Sequence, residues 1–220
     1  MFAMGNFKHV KILEPVSLET VEVSGKRHYK TTAGIFPSVT TVTGWQKQKH
    51  FARWREENPE ESQRVCDRGT KLHSLIESYL KNEQVKVGET ETEHQLFRLM
   101  KSKIDKINNI HALECPLWSK TVGLAGRVDC IAEYNKQLTV IDFKGSTKPK
   151  IKEDIENYFT QAAAYALMWQ DLTGEKCKKI CVIMGSERGT CQVFEENVID
   201  FVKPLHRAVQ IYQKYNAAVV

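Results

Sequence analysis

Residues 121 to 150 read Thr-Val-Gly-Leu-Ala-Gly-Arg-Val-Asp-Cys-Ile-Ala-Glu-Tyr-Asn-Lys-Gln-Leu-Thr-Val-Ile-Asp-Phe-Lys-Gly-Ser-Thr-Lys-Pro-Lys, two runs of β-branched and apolar residues around a polar Asn135-Lys136 pair. Such a segment is a tight β-hairpin, with one strand over about Val122 to Tyr134 and the next over about Leu138 to Lys144. A turn centred on Asn135-Lys136 sets Asp129 opposite Asp142, with their Cβ atoms ~5 Å apart. Like charges that close repel unless something neutralises them, and a divalent cation is the economical answer. Asp142 and Lys144 are two apart on one strand and share a face, while Ile141 and Phe143 take the other. The lysine therefore sits beside any ion the acids hold. Hard cations such as Mg²⁺ take one or two carboxylates plus water and substrate phosphate, which this arrangement offers. The alternative is an exposed cross-strand Asp–Lys pair, which contributes little.

The rest of the chain supplies a frame for that hairpin. His9 to Leu13 and Thr20 to Thr31 read as short strands, the latter folding at Ser24-Gly25, and the first 35 residues carry no motif. Ser38, after Pro37, can cap a helix over Val39 to about Trp45, with a second helical piece near His50 to Glu57. Glu60 to Lys81 places Leu72, Leu75, Ile76, Tyr79 and Leu80 on one face of a long amphipathic helix, and Glu91 to Asn108 predicts another. A strand over Ala112 to Trp118 precedes the hairpin. A helix over Asp154 to Asp171 follows it, then strands at Cys181 to Met184 and Thr190 to Phe194, then a helix over Val198 to Tyr215. The order is αβββαββα.

With 220 residues, 41% of them hydrophobic and 27% charged, the chain is expected to form one domain with a substantial core. No run of 18 apolar residues predicts a membrane span, and Met1-Phe2-Ala3-Met4-Gly5-Asn6 lacks the apolar stretch of a signal peptide. A soluble, cytoplasmic protein is the expectation. The six cysteines, Cys66, Cys115, Cys130, Cys177, Cys181 and Cys191, contain no CxxC and read as reduced thiols. Cys177, Cys181 and Cys191 lack the spacing and the fourth ligand of an iron–sulfur site. A net charge of +5 leaves any polyanion binding to local clusters. Lys148, Lys150 and Lys152 directly follow the Asp142 strand. Lys101, Lys103 and Lys106, like Lys176, Lys178 and Lys179, read as solvated faces.

Gly126-x-x-Asp129, thirteen residues from Asp129 to Asp142, and Ile141-Asp142-Phe143-Lys144 together resemble the PD-(D/E)XK nuclease superfamily and its RecB-type exonuclease branch. Arg68-Gly69-Thr70-Lys71-Leu72-His73 resembles that branch's Gly-x-x-x-His element, and Gln161-Ala162-Ala163-Ala164-Tyr165 its Gln-x-x-x-Tyr element. Phe36-Pro37-Ser38-Val39-Thr40 is similar to the Pro-Ser-Val-Thr opening of the mitochondrial genome maintenance exonuclease group. The run from Asp142 to Lys150 is similar to that group's active-site strand and its exit. The resemblance implies an α/β, restriction-endonuclease-like core, a mixed sheet flanked by helices, in a single nuclease domain over 1–220. Residues 1–35 would be an N-terminal β-element, 36–58 a helical arch and 59–220 the core.

It also implies roles. Asp129 and Asp142 hold Mg²⁺ or Mn²⁺, with the Phe143 backbone carbonyl and His73 completing the shell; an imidazole ligand favours Mn²⁺ over an all-oxygen set. From pattern alone His73 would be a boundary residue of its helix. Lys144 orients or deprotonates the attacking water. Gln161 and Tyr165, one helical turn apart, hold a phosphate or orient Lys144. Glu77 reads as solvent-facing or as an orienter. Glu114 either reaches an ion in a two-cation arrangement or stands as an edge carboxylate.

Between Pro37 and Asn58, Trp45, Phe51 and Trp54 interleave with Lys47, Lys49, His50, Arg53 and Arg55. Bases stack on rings at ~1 to 3 kcal/mol each while cations follow the backbone, so this composition suits single strands; equally, the tryptophans could be buried in helix packing. The expected contacts are Ser38, Trp45, Lys49, Arg53, Trp54, Ser146, Lys148 and Lys150. The resulting expectation is a metal-dependent exonuclease acting on single-stranded DNA, or on DNA with single-stranded ends, in replication, repair or recombination. A phage-infected cell is the expected setting ahead of a processed mitochondrial enzyme. The alternatives are a structure-specific endonuclease or resolvase, and a non-catalytic nucleic-acid-binding module.

Overall fold

A computed structural model describes residues 2–10 and 18–217. In chain order the elements are β1 (Phe2–Ala3), β2 (Glu19–Val23), β3 (Lys26–Thr31), β4 (Gly34–Pro37), α1 (Val39–Thr43), α2 (Gln48–Glu57), α3 (Pro59–Leu80) and β5 (Val85–Lys86). They continue with α4 (Thr92–Ile104), β6 (Ile107–Ser119), β7 (Leu124–Tyr134), β8 (Gln137–Ser146), α5 (Glu156–Thr173), β9 (Lys179–Ser186), β10 (Thr190–Asn197) and α6 (Val198–Ala217). From α4 onward the order is αβββαββα, as the sequence predicts.

The central sheet runs β10-β9-β8-β7-β6. Only β8 and β9 are parallel, since α5 carries the chain back between them, while short turns make the other pairs antiparallel. The β7–β8 turn places Asn135 and Lys136 at φ of 51° and 63°, the left-handed pair that a two-residue hairpin requires. It sets the register Tyr134/Gln137 through Cys130/Ile141, so Asp129 and Asp142 are the next residues out.

Each face of the sheet buries its own cluster. Ile131, Val140, Ile180 and Val182 pack against α5 and α6, where Ala162, Ala163 and Ala164 let α5 lie close to the strands. Cys130, Ile141, Phe143, Cys181 and Ile183 pack against Leu72 and Ile76 of α3 and Leu96, Met100 and Ile104 of α4. Period-two alternation in the strands thus assigns one helical layer to each face. Among the described residues no helix is long and apolar enough to cross a membrane.

Four local expectations change. The predicted Glu91–Asn108 helix ends at Ile104, because Ile107 is drawn into the sheet opposite Tyr134. Of the predicted strand from His9 to Leu13, the described part, His9 and Val10, makes a single bridge, His9 to Ile110, and residues 11–17 lie outside the described set. A third strand, β4, joins the β2–β3 hairpin; four residues ending in proline leave little pattern to read. Ser38 makes no side-chain cap to α1, because its hydroxyl is taken by Arg27 and Thr40.

Candidate active site

Beyond Cys130/Ile141 the recorded β7–β8 pairing stops, and the Asp129 carboxylate takes the place of a backbone acceptor. Its Oδ2 receives the Phe143 N–H at 2.9 Å. A residue's N–H and C=O lie on the same edge of a strand, so the Phe143 carbonyl also faces this opening. On the other side of β7, Glu114 stands between the pairs Leu113/Cys130 and Cys115/Val128, hence opposite Asp129.

Both strands change phase at this point. Leu113 and Cys130 pack with the α3–α4 layer, whereas Cys115 and Val128, two residues along on each strand, pack with the α5–α6 layer. Glu114 takes φ of 45°, a left-handed conformation unusual for a residue with a long side chain. The phase change leaves the two carboxylates at the seam between the helical layers, where α3 reaches them with His73. Its Nδ1 lies 3.7 Å from Glu114 Oε1 and 3.7 Å from Asp129 Oδ2.

Asp142 and Lys144 share the α5 side of β8. Lys144 Nζ donates to Asp142 Oδ1 at 2.7 Å, Gln161 Nε2 donates to the same oxygen at 3.1 Å, and the ammonium lies 5.2 Å from the centre of the Tyr158 ring. Asp142 is 3% exposed, and its Oδ2 is buried without a hydrogen-bond partner. Leaving a carboxylate oxygen in that condition is costly unless a cation meets it.

Protonation follows from this crowding. Burial raises the Asp142 carboxyl above its ordinary range, opposed by Lys144 and reinforced by Asp129. Burial alone would lower the Lys144 ammonium, but Asp142 and Asp129 outweigh it and hold the lysine charged. Likewise burial works against a charged His73, and the Asp129 and Glu114 carboxylates turn its pKa upward. Tyr165, raised by burial and then by Asp129 and Asp142, lies behind the acids against Gly126.

The donor set fits a divalent cation. Ligand atoms of His73, Glu114 and Asp129 all lie within 4.8 Å of one another, and Asp142, which feels the Asp129 and His73 charges, carries an unpartnered oxygen. Two or three carboxylates with one imidazole suit Mg²⁺ or Mn²⁺. Glu114, which the sequence left between ligand and edge carboxylate, is in this group.

A cavity of about 560 Å³ opens against Lys144, Tyr158 and Gln161. Its other walls are Phe51, Trp54 and Arg55 of α2, Ser62 and Cys66 of α3, Thr40, Thr41 and Thr43 of α1, and Lys26 and Arg27 of the β2–β3 hairpin. Four cations line it and no carboxylate does.

The expected nucleic-acid residues divide around this cavity. Trp54 lines it. Trp45 does not; it is half-buried, edge-on to Tyr212 of α6 at 5.3 Å, with Lys26 over its ring at 4.7 Å. Ser38 and Ser146 are buried. The Ser38 hydroxyl is held by Arg27 and Thr40, and Ser146 Oγ turns inward to the Lys148 carbonyl at 2.9 Å. Lys49 and Arg53 are exposed on α2 away from the lining, Arg53 bonding Glu57 at 2.7 Å. Lys148 is exposed beyond β8, and the Lys150 backbone is fastened to Gln192.

Three further residues at the site carried no sequence signal of their own. Tyr158 would have needed the α5 phase relative to Lys144, and Arg27 the fold of the hairpin. Arg68, 4% exposed, donates to the Gly145 carbonyl at 3.1 Å and pairs with Glu187, tying α3 to the exit of β8.

Comparison with known proteins agrees with this geometry. Mitochondrial genome maintenance exonuclease 1 of Mus musculus is 30% identical over 128 residues, covering 52% of this chain and 38% of the mouse protein. The Homo sapiens protein of that name is 28% identical over 131 residues, and that of Xenopus tropicalis 27% over 148, covering 38% and 42% of those proteins. The match thus spans about two fifths of these relatives. The crystal structure of a candidate exonuclease from Eubacterium rectale superposes with a TM-score of 0.43 at 13% identity over 68% of each chain, and the assignment does not rest on it. The model of the PD-(D/E)XK nuclease superfamily matches residues 89–210. That span exceeds half of the chain and carries Glu114, Asp129, Asp142 and Lys144 within it, and this chain belongs to the PD-(D/E)XK nuclease superfamily.

Proposed function

We propose that this chain is a divalent-metal-dependent exonuclease that hydrolyses phosphodiester bonds of single-stranded DNA from free ends, acting as one nuclease domain. The observation that carries the reading is the carboxylate-free, four-cation cavity walled by Lys144 and Gln161, both of which bond the Asp142 carboxylate. A polyanion is drawn to that cavity, and a phosphoryl group entering it meets Lys144, which is bonded to Asp142. Phe51 and Trp54 offer ring faces to unpaired bases, which a duplex would keep stacked inside. Names of relatives that include exonuclease support action at ends.

His73, Glu114, Asp129 and Asp142, with the Phe143 carbonyl, would hold the cation. Bound there, the ion supplies Lewis-acid polarisation of the phosphodiester and acidifies water. Gln161 fixes Asp142 through Oδ1, which keeps Oδ2 directed away from that bond. Lys144, charged and held between Asp142 and the Tyr158 ring, presents its ammonium to the cavity wall and offsets charge that develops on the phosphoryl oxygens. Asp142 and Asp129 beside it favour the ammonium form, which suits Lys144 to charge stabilisation and water orientation.

The test is release from end-labelled single strands with Mg²⁺ or Mn²⁺, alongside a circular single strand of the same sequence. Progressive shortening of the linear substrate, intact circles, and loss of cleavage in Asp129→Ala, Asp142→Ala and Lys144→Ala are expected. Cut circles would replace the reading with an endonuclease. No cleavage of any strand with either ion would leave a binding module.

A further inference from the structure

The β2–β3 hairpin brings to the cavity a cation that the site described above leaves unexplained. Arg27 lies on β3, and its guanidinium donates through Nε and Nη2 to Ser38 Oγ at 3.3 and 3.2 Å, and through Nη2 to Thr40 Oγ1. The two hydroxyls also bond each other at 2.9 Å, and the Ser38 N–H donates to the Arg27 carbonyl at 3.0 Å. Strand and loop are therefore tied twice, and the guanidinium is fixed in one orientation. Tyr29 lies beneath it, 5.8 Å from the ring centre.

Hydroxyl groups orient a guanidinium without cancelling its charge. Among the described residues no carboxylate pairs with Arg27 and Nη1 carries no bond. Arg55 on the facing wall likewise has no acidic partner there, in contrast to Arg53 with Glu57. An arginine held as a rigid fork, uncompensated, in a cavity without acids matches a phosphate group in shape and charge. Arg27 also acts on the Tyr165 hydroxyl from a distance, which puts it near the acids without joining their cluster.

We infer that Arg27, oriented by Ser38 and Thr40, forms a subsite for a backbone phosphate of the substrate strand, distinct from the phosphate that is cleaved. This deepens the proposed function and rests on the reading of the cavity as a single-strand site. It gives Ser38 a role that its burial otherwise denies: the hydroxyl reaches the strand only through the arginine it holds.

The experiment measures binding of a fluorescent thymidine oligonucleotide by anisotropy in EDTA, without cleavage, over a range of KCl concentrations. For single strands the slope of log affinity against log salt falls by about 0.7 for each phosphate contact removed. Arg27→Ala is expected to lose that amount of slope. Arg27→Lys is expected to keep the slope and bind more weakly, because the charge survives and the fork does not. A second arm places one uncharged methylphosphonate at successive positions. Wild-type protein is expected to weaken at one linkage to which Arg27→Ala is indifferent, and that linkage is not the one cleaved when Mg²⁺ is added. If wild-type protein binds but Arg27→Ala keeps its slope and its methylphosphonate profile, the subsite is wrong and Arg27 merely clasps β3 to α1, which a lowered melting temperature alone would report. If wild-type protein binds no oligonucleotide, the reading of the cavity fails and the subsite with it.

Discussion

Gly126 occupies an ordinary strand conformation in β7, three residues before Asp129, so adding a methyl group there strains no backbone angle. Space is the constraint. A Cβ at this position would lie 2.8 Å from Tyr165 Oη, 3.0 Å from Cε1 and 3.3 Å from Cζ, where ordinary contact begins near 3.4 Å. Tyr165 is 4% exposed within the α5 layer, so its ring has to yield by roughly half an ångström against packed neighbours. Overpacking of this kind costs about 1 to 3 kcal/mol. For a domain of this size that is roughly 2 to 12 °C in melting temperature. Because Tyr165 backs the acids, a shift of that size is expected to cut turnover about tenfold, on the scale by which ~1 Å of misplacement costs about a hundredfold. Gly126→Ala should show both losses, by calorimetry and by initial rates on an end-labelled oligonucleotide. Adding Tyr165→Phe removes the Oη contact and leaves the one at Cε1, so the double variant should recover part of the lost melting temperature relative to Gly126→Ala. Wild-type melting and turnover in Gly126→Ala would refute the close approach and with it the account of why glycine opens the Gly-x-x-Asp motif.

Removing the Glu187 carboxylate in Glu187→Ala leaves the buried Arg68 without its ionic partner, and about 3 to 5 kcal/mol of stability should be lost in urea unfolding; a loss below ~1 kcal/mol would mean the guanidinium finds water or another acceptor. Cys66 is exposed and lines the cavity, while Cys130, Cys177 and Cys181 are buried. A bulky maleimide should therefore label it first and block cleavage, and a single-stranded oligonucleotide should slow the labelling; active, fully labelled protein would place the substrate elsewhere. Lys136→Gly relieves a left-handed lysine at the β7–β8 turn and should stabilise by about 0.5 to 1 kcal/mol after the greater freedom of unfolded glycine is subtracted, which denaturant midpoints can check.

What the sequence disclosed follows from the range of the interactions involved. The β7–β8 register was legible because alternation and a two-residue turn are local, and together they leave one way to pair the strands. The core order from α4 to α6 was legible for the same reason. Glu114 was not: its approach to His73 depends on a change of strand phase that two neighbouring strands make together, and no period in β6 alone records it. The end of α4 was misjudged because Ile104 and Ile107 continue a helical stripe in sequence, and only Tyr134, across the sheet, selects the strand for Ile107. Trp45 reads equally as a stacking or a packing residue until α6, far along the chain, sets Tyr212 edge-on against it. Arg27 carries no sequence signal, and only pairing of β3 with β4 sets it beside Ser38.

The central claim is that the carboxylates of Asp129, Glu114 and Asp142 and the imidazole of His73 form one divalent-cation site at the opening of the sheet. Calorimetric titration with Mn²⁺, in the presence of a single-stranded oligonucleotide, tests it most directly. The account predicts saturable uptake by the wild-type protein, weakened at least tenfold in Glu114→Gln and His73→Ala and abolished in Asp129→Ala, with all variants folded by circular dichroism. No uptake by the wild-type protein, or uptake that survives Asp129→Ala unchanged, would contradict it.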